Sequence, residues 1–195
     1  MSDLLPAEAL KGVRVGFSIS ESPDLARLGL PEEHVRLTVT GLARLVLEAG
    51  GSLASGGRLD PDGYPALLLQ ELRRAGRTDR PMLVCLAWGE HRRLSLAELA
   101  RRRREAGPYA EIVCLDPEGR EVDPAAGRGA APEPETDPGR VRRALTAMRR
   151  YLTGRIDGRV LIGGRREGFL GEVPGLLEEA LLTLERGLPL YPAGG

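Results

Sequence analysis

GRVLIGGRREGFLGEVPGLLEEALLTLERGLPLYPAGG, residues 158–195, is the stretch that decides the fold. Arg159–Ile162 is a short apolar run, too short for a helix and bounded by glycines. Gly163 and Gly164 follow at once, with Gly168 and Gly171 soon after. Pro174 suits the first turn of a helix, where its missing N–H is not needed. Leu176, Leu177, Ala180, Leu181 and Leu184 then recur at helical spacing, and Gly187 is placed to end that helix. Leu188–Tyr191 reads as a further short strand. The unit is strand, glycine loop, helix, strand. A glycine loop lets a ligand approach the backbone, and a helix start offers N–H groups and the positive end of a dipole. Phosphate suits that geometry, and Arg165 and Arg166 inside the loop add charged donors. A plain tight turn between strand and helix is the alternative.

Upstream, the same alternation recurs. Val13–Ile19 is a strand whose end carries Ser18, Ser20, Glu21 and Ser22. Pro31–Ala49 is an amphipathic helix with Val35, Val39, Leu42, Ala43, Val46 and Leu47 on one stripe. Ser52–Ser55 is a brief strand, Gly56 and Gly57 close it, and Tyr64–Ala75 is the next helix. Pro81–Trp88 is apolar throughout, as expected of a central strand covered on both faces. Ser95 and Glu98 form a capping box for the helix Leu96–Ala106. Ala110–Leu115 is another strand. Asp116–Asp137 is rich in Pro, Gly, Ala and Glu, and residues 117–137 read as a loop excursion or flexible insert. Pro138–Thr153 is an Arg-rich amphipathic helix that leads into the closing stretch. Six strands alternating with helices predict an α/β domain of three layers, a mainly parallel sheet with helices on both faces. Right-handed crossovers bring the Ser18–Ser22 loop, Gly56-Gly57, Trp88-Gly89 and Gly163-Gly164 to one rim.

Composition narrows the function. A length of 195 residues fits a single domain, 1–195. Lys+Arg and Asp+Glu both number 28, so overall charge argues against nucleic acid or a membrane surface as partner. Lys11 is the only lysine, and the Arg, Ala, Gly and Pro bias suggests a bacterial source. Cys85 and Cys114 lie in apolar runs and read as reduced core residues, with no metal-ligand spacing. His34 reads as a surface residue, and His91 follows a strand end without partners that mark catalysis. No signal segment and no apolar run of membrane-spanning length is visible, which predicts a cytoplasmic protein.

The segments VGFSISESPD, LASGGRLDPDGY and LIGGRREGFLGEVPGLLEEALLTLERGLPLY, in this order, resemble the SLOG superfamily. This Rossmann-like group joins the DprA/Smf proteins, the LOG phosphoribohydrolases and several nucleotide sensors. The resemblance runs from about Val13 to Gly195. Catalytic LOG enzymes carry PGGxGTxxE. Here Ile162 replaces the proline, Gly168 comes late, Phe169 stands for the threonine, and no glutamate follows at that spacing. The chain is therefore more similar to the nucleotide-sensing SLOG domains, among them those of bacterial antiphage systems and TRPM channels. That resemblance implies a nucleotide-type small molecule such as ADP-ribose or its cyclic forms, bound as a ligand with no separate cofactor. Ser18, Ser20, Glu21, Gly56, Gly57, Gly163, Gly164, Arg165, Arg166, Gly168 and Glu178 would then line the site. A phosphoribohydrolase using Glu21, Glu172 or Glu178 and a non-catalytic interaction subunit are the alternatives. A sensor of this size also implies a homo-oligomer or a separate effector protein.

Overall fold

The computed structural model describes residues 6–20, 29, 32–164, 168–169 and 173–193. Six strands form one parallel sheet: β1 (Arg14–Ser20), β2 (Ser52–Gly56), β3 (Met82–Leu86), β4 (Ala110–Cys114), β5 (Gly158–Gly163) and β6 (Leu190–Ala193). Six helices connect them: α1 (Glu32–Glu48), α2 (Tyr64–Arg74), α3 (Trp88–Arg92), α4 (Leu96–Ala106), α5 (Pro138–Thr153) and α6 (Gly175–Glu185). The strand order is β4-β3-β2-β1-β5-β6, and each pairing is parallel. The three-layer Rossmann-like architecture is therefore present.

Alternation along each strand builds two cores. Phe17, Leu53, Val84, Ile112, Val160 and Ile162 face α1, α2 and α4, meeting Val39, Leu68 and Leu99. Ala54, Leu83, Cys85 and Val113 face the other way, against Met148 and Leu152 of α5. The two cysteines are free and buried. α6 lies beside α5 on that second face, over β5 and β1.

Helix limits follow local chemistry. Ser95 accepts from the Glu98 N–H at the start of α4, and Asp137 accepts from the Gly139 N–H at the start of α5. α6 ends in a Schellman motif: the Gly187 N–H donates to Leu184 O and the Leu188 N–H to Thr183 O. Leu188 is thereby committed to the helix end, and the final strand begins at Leu190, two residues later than the sequence suggests. Trp88 also departs from its expected place. The chain leaves β3 at Leu86, and Trp88 opens the short helix α3 with Ala87 as its extended N-cap.

The segment 117–137 contains neither helix nor strand. Glu135 accepts from Trp88 Nε1 at 3.1 Å, and Arg92 pairs with Glu133. Arg128 donates to the His91 and Leu94 carbonyls at 3.2 and 2.9 Å. These bonds strap the segment over α3. Beneath it His91 is 1% exposed, with Nε2 3.1 Å from Leu115 O. Burial above all, then the nearby Arg128, Arg92 and Arg103, push its pKa down to about 4 against the pull of that carbonyl.

His91 sets a pH dependence. Its folded value lies below the ordinary 6.5. Between the two, the unfolded chain takes up a proton that the folded one refuses. Its contribution is therefore complete above the unfolded value and is lost as pH falls toward the folded one. Urea unfolding should show a loss of about 2 kcal/mol from this residue between pH 7 and pH 5. The pH 7-to-5 difference should shrink by that amount in His91→Gln; an unchanged difference would place the titration elsewhere.

Candidate functional site

β1 leads through α1 to β2 on one side, while its other neighbour is β5, so the winding reverses between β1 and β5. Ligands of open α/β sheets bind at such a reversal, outside the carboxyl ends of the strands. A cleft of about 480 Å³ occupies this place. Its floor is Ser18 and Ser20 at the end of β1, with Ser55, Gly56 and Gly57 at the end of β2. Its walls come from Arg36 of α1, the 58–63 loop, Tyr64 of α2, Met148 and Arg149 of α5, and Gly175 and Glu179 of α6. Gly168 and Phe169 border it.

Gly56 and Gly57 have different reasons to be glycine. A Cβ on Gly56 would stand 2.6 Å from Met148 Sδ, so this glycine lets α5 press on the sheet. Gly57 has φ +133° with open space beside it, a conformation that favours glycine and leaves its backbone bare to the cleft.

Below the floor lies a polar knot. Arg159 of β5 is 0% exposed. Its Nε donates to Thr183 Oγ1 at 2.8 Å and its Nη2 to Thr153 Oγ1 at 2.8 Å. Its Nη1 donates to Ser18 Oγ at 2.5 Å and to Glu179 Oε2 at 2.9 Å. Thr183 and Thr153 pass their own protons to carbonyls one turn back in their helices, Glu179 O and Arg149 O. Burial lowers the Arg159 pKa, with Glu179 opposing, but an arginine stays charged in that range. Ser18 accepts from Arg159, so the hydroxyl at the end of β1 is held against the knot.

Arg149 sits above the knot. It pairs with Glu178 and lies 3.6 Å from Glu179 Oε1. Its Nε is buried without a hydrogen-bond partner. Its Nη2 is 2.5 Å from where a Cβ of Gly175 would be, so the glycine admits the guanidinium to the first turn of α6. That turn has Pro174 as N-cap and no side-chain cap, and α2 likewise starts from Gly63 without one. α4 and α5, which start away from the cleft, are both capped by side chains. The starts of α2 and α6 at the cleft thus keep N–H groups free of side-chain caps.

Of the residues the sequence singled out, Ser18, Ser20, Gly56, Gly57 and Gly168 line the cleft. Gly163 closes β5 and Gly164 follows it; neither is among the lining residues. Glu178 turns to α5, where Thr146 Oγ1 donates to it at 2.5 Å and Arg149 holds it, and its neighbour Glu179 faces the cleft. Glu21, Arg165, Arg166 and Glu172 lie outside the described residues. Glu32, Arg36, Glu90, Arg149 and Glu179 at the cleft, and Arg159 below it, are charged groups that the motifs did not indicate. One signal was present for Arg159: a charge inside a strand that is otherwise apolar. Among the described residues no cluster of His, Cys, Asp and Glu is arranged to hold a metal ion, and no helix is long and apolar enough to cross a membrane.

A six-stranded parallel sheet with a serine- and glycine-floored cleft at its reversal defines a Rossmann-like α/β domain. The family model described as SLOG cluster2 matches residues 9–195, and the chain belongs to the SLOG superfamily. No curated protein and no solved structure matches it.

The knot is testable. Arg159→Met leaves Glu179 in a buried setting with one guanidinium fewer and should cost about 3–5 kcal/mol in urea unfolding. Adding Glu179→Met should recover much of that loss, since a well-packed apolar pair replaces a buried ion pair at little cost. A double variant no more stable than Arg159→Met would mean the two charges are not coupled.

Proposed function

We propose that this SLOG domain is a nucleotide-derivative sensor whose ligand is an NAD-derived molecule of the ADP-ribose type. The observation that carries the reading is the meeting of Arg149 with the uncapped start of α6 beside the cleft. Guanidinium and free helix N–H groups together suit a phosphate or diphosphate. The Ser18 hydroxyl supplies a further donor, and Glu179 an acceptor for ribose hydroxyls. A volume of about 480 Å³ lies within the roughly 300–1,000 Å³ of ordinary small-molecule sites. Arg165 and Arg166 are proposed to add charge from the loop after β5.

Glu179 also supports a second reading, a LOG-like phosphoribohydrolase. α6 brings this carboxylate to the cleft although the preceding loop is longer than in the PGGxGTxxE pattern. Stabilising an oxocarbenium-like state requires such a group. However, Arg159 donates to it at 2.9 Å and Arg149 lies 3.6 Å away, an arrangement that suits positioning better than proton transfer.

Thermal unfolding with NAD, ADP-ribose, its cyclic isomers, AMP and ATP separates the readings. At a hundredfold excess over Kd a true ligand should stabilise the domain by about 2.7 kcal/mol. We expect the shift with an ADP-ribose derivative, and its loss in Gly57→Asp, which sets a carboxylate on the floor of the cleft. Release of free base from AMP, abolished in Glu179→Gln, would instead establish the hydrolase. No shift with any compound would overturn both.

A further inference from the structure

The chain holds two phenylalanines, and the fold treats them oppositely. Phe17 on β1 is 1% exposed in the core, whereas Phe169, between β5 and α6, is 38% exposed. An aromatic ring left partly in water has apolar surface that a packed neighbour would remove. Among the described residues, Phe169 is the one strongly exposed large apolar side chain that borders the cleft. Gly168 before it has φ +69° with open space beside it, a turn that favours glycine and sets Phe169 at this border.

The two sides of the cleft differ in character. Leu145 and Met148 of α5 and Leu176 of α6 supply apolar surface around Arg149 and the start of α6. The side toward α1 and α2 is charged, with Glu32, Arg36, Arg58, Asp60 and Asp62. A planar aromatic group gains little from solvated ions and much from aliphatic and aromatic faces. Such a group in this cleft is therefore favoured on the side of Leu145, Leu176 and Phe169.

We propose that Phe169 is the base-stacking residue of the site, its ring packing on the aromatic base of the ligand with Leu145 and Leu176 as the apolar border. This rests on the reading of the cleft as a nucleotide-derivative site and adds where the base goes. Arg149 and the start of α6 suit any small phosphate; a stacked base restricts the ligand to a nucleotide. Every base has a π-face, so stacking selects for the presence of a base and tolerates its identity.

Isothermal titration calorimetry with ADP-ribose and AMP on the full chain tests this. Phe169→Ala should weaken binding roughly 10- to 100-fold, the range of base–aromatic stacking. Phe169→Leu restores apolar bulk without a ring and should recover little of the loss. Phe169→Tyr keeps the ring and should recover nearly all of it. Unfolding temperatures without ligand should be alike, since Phe169 belongs to neither core. Phe169→Trp adds a reporter whose fluorescence ADP-ribose should quench. Trp88, which bonds Glu135 and does not line the cleft, is the steady reference in the wild type. Binding that is indifferent to Phe169→Ala, or restored by Phe169→Leu, would overturn the stacking role and leave the nucleotide reading in place. A wild type that binds neither compound would overturn the nucleotide reading and this proposal with it.

Discussion

The charge of Arg159, held without water in the middle of β5, is the constraint on which the rest of the site depends. Removing a guanidinium from solvent costs several kcal/mol unless its donors are met. Here four hydrogen bonds to β1, α5 and α6 meet them. Each partner is thereby fixed at one height above the sheet. An apolar residue would fill the space at lower cost. It would not orient the Ser18 hydroxyl or hold the Glu179 carboxylate at the cleft wall. The knot also lies where the sheet reverses its winding, so the elements it ties are those that form the cleft.

The cleft itself is not a simple basic pocket. Arg36 lies 3.6 Å from Glu32, Arg58 donates to Glu90 at 3.0 Å, and Arg149 pairs with Glu178. Among the described residues its arginines are neutralised by carboxylates. Under the proposed reading, affinity for an anion would come from fixed dipoles as much as from net charge. The lack of side-chain caps on α2 and α6 is consistent with this, because a capping carboxylate would occupy the place of a ligand oxygen. Gly175 serves the same end by letting one guanidinium share the helix start.

The fold was more legible than the site, for a physical reason. α4 and α5 have the limits that the sequence suggests because Ser95 and Pro138 act within one turn of themselves. The alternation of short apolar strands with amphipathic helices is likewise local, and it led to the parallel sheet. Errors arose where a tertiary or terminal bond intervened. Leu188 went to the Schellman motif, and Trp88 turned into α3 to meet Glu135, 47 residues on. Glycines and serines at strand ends pointed to part of the cleft, since they mark bare backbone. Arg149, Arg159 and Glu179 did not stand out, because their roles depend on which way a helix or strand faces once packed. Glu178 and Glu179 differ by one position and 100° of helix, and only the position of α6 on the sheet decides which reaches the cleft.

That position gives α6 two unlike sides along one short rod. Its first turn and Glu179 belong to the cleft, and its leucine stripe faces outward. Thr183 and Glu179 tie its inner side to Arg159, so the helix cannot turn about its axis without breaking the knot.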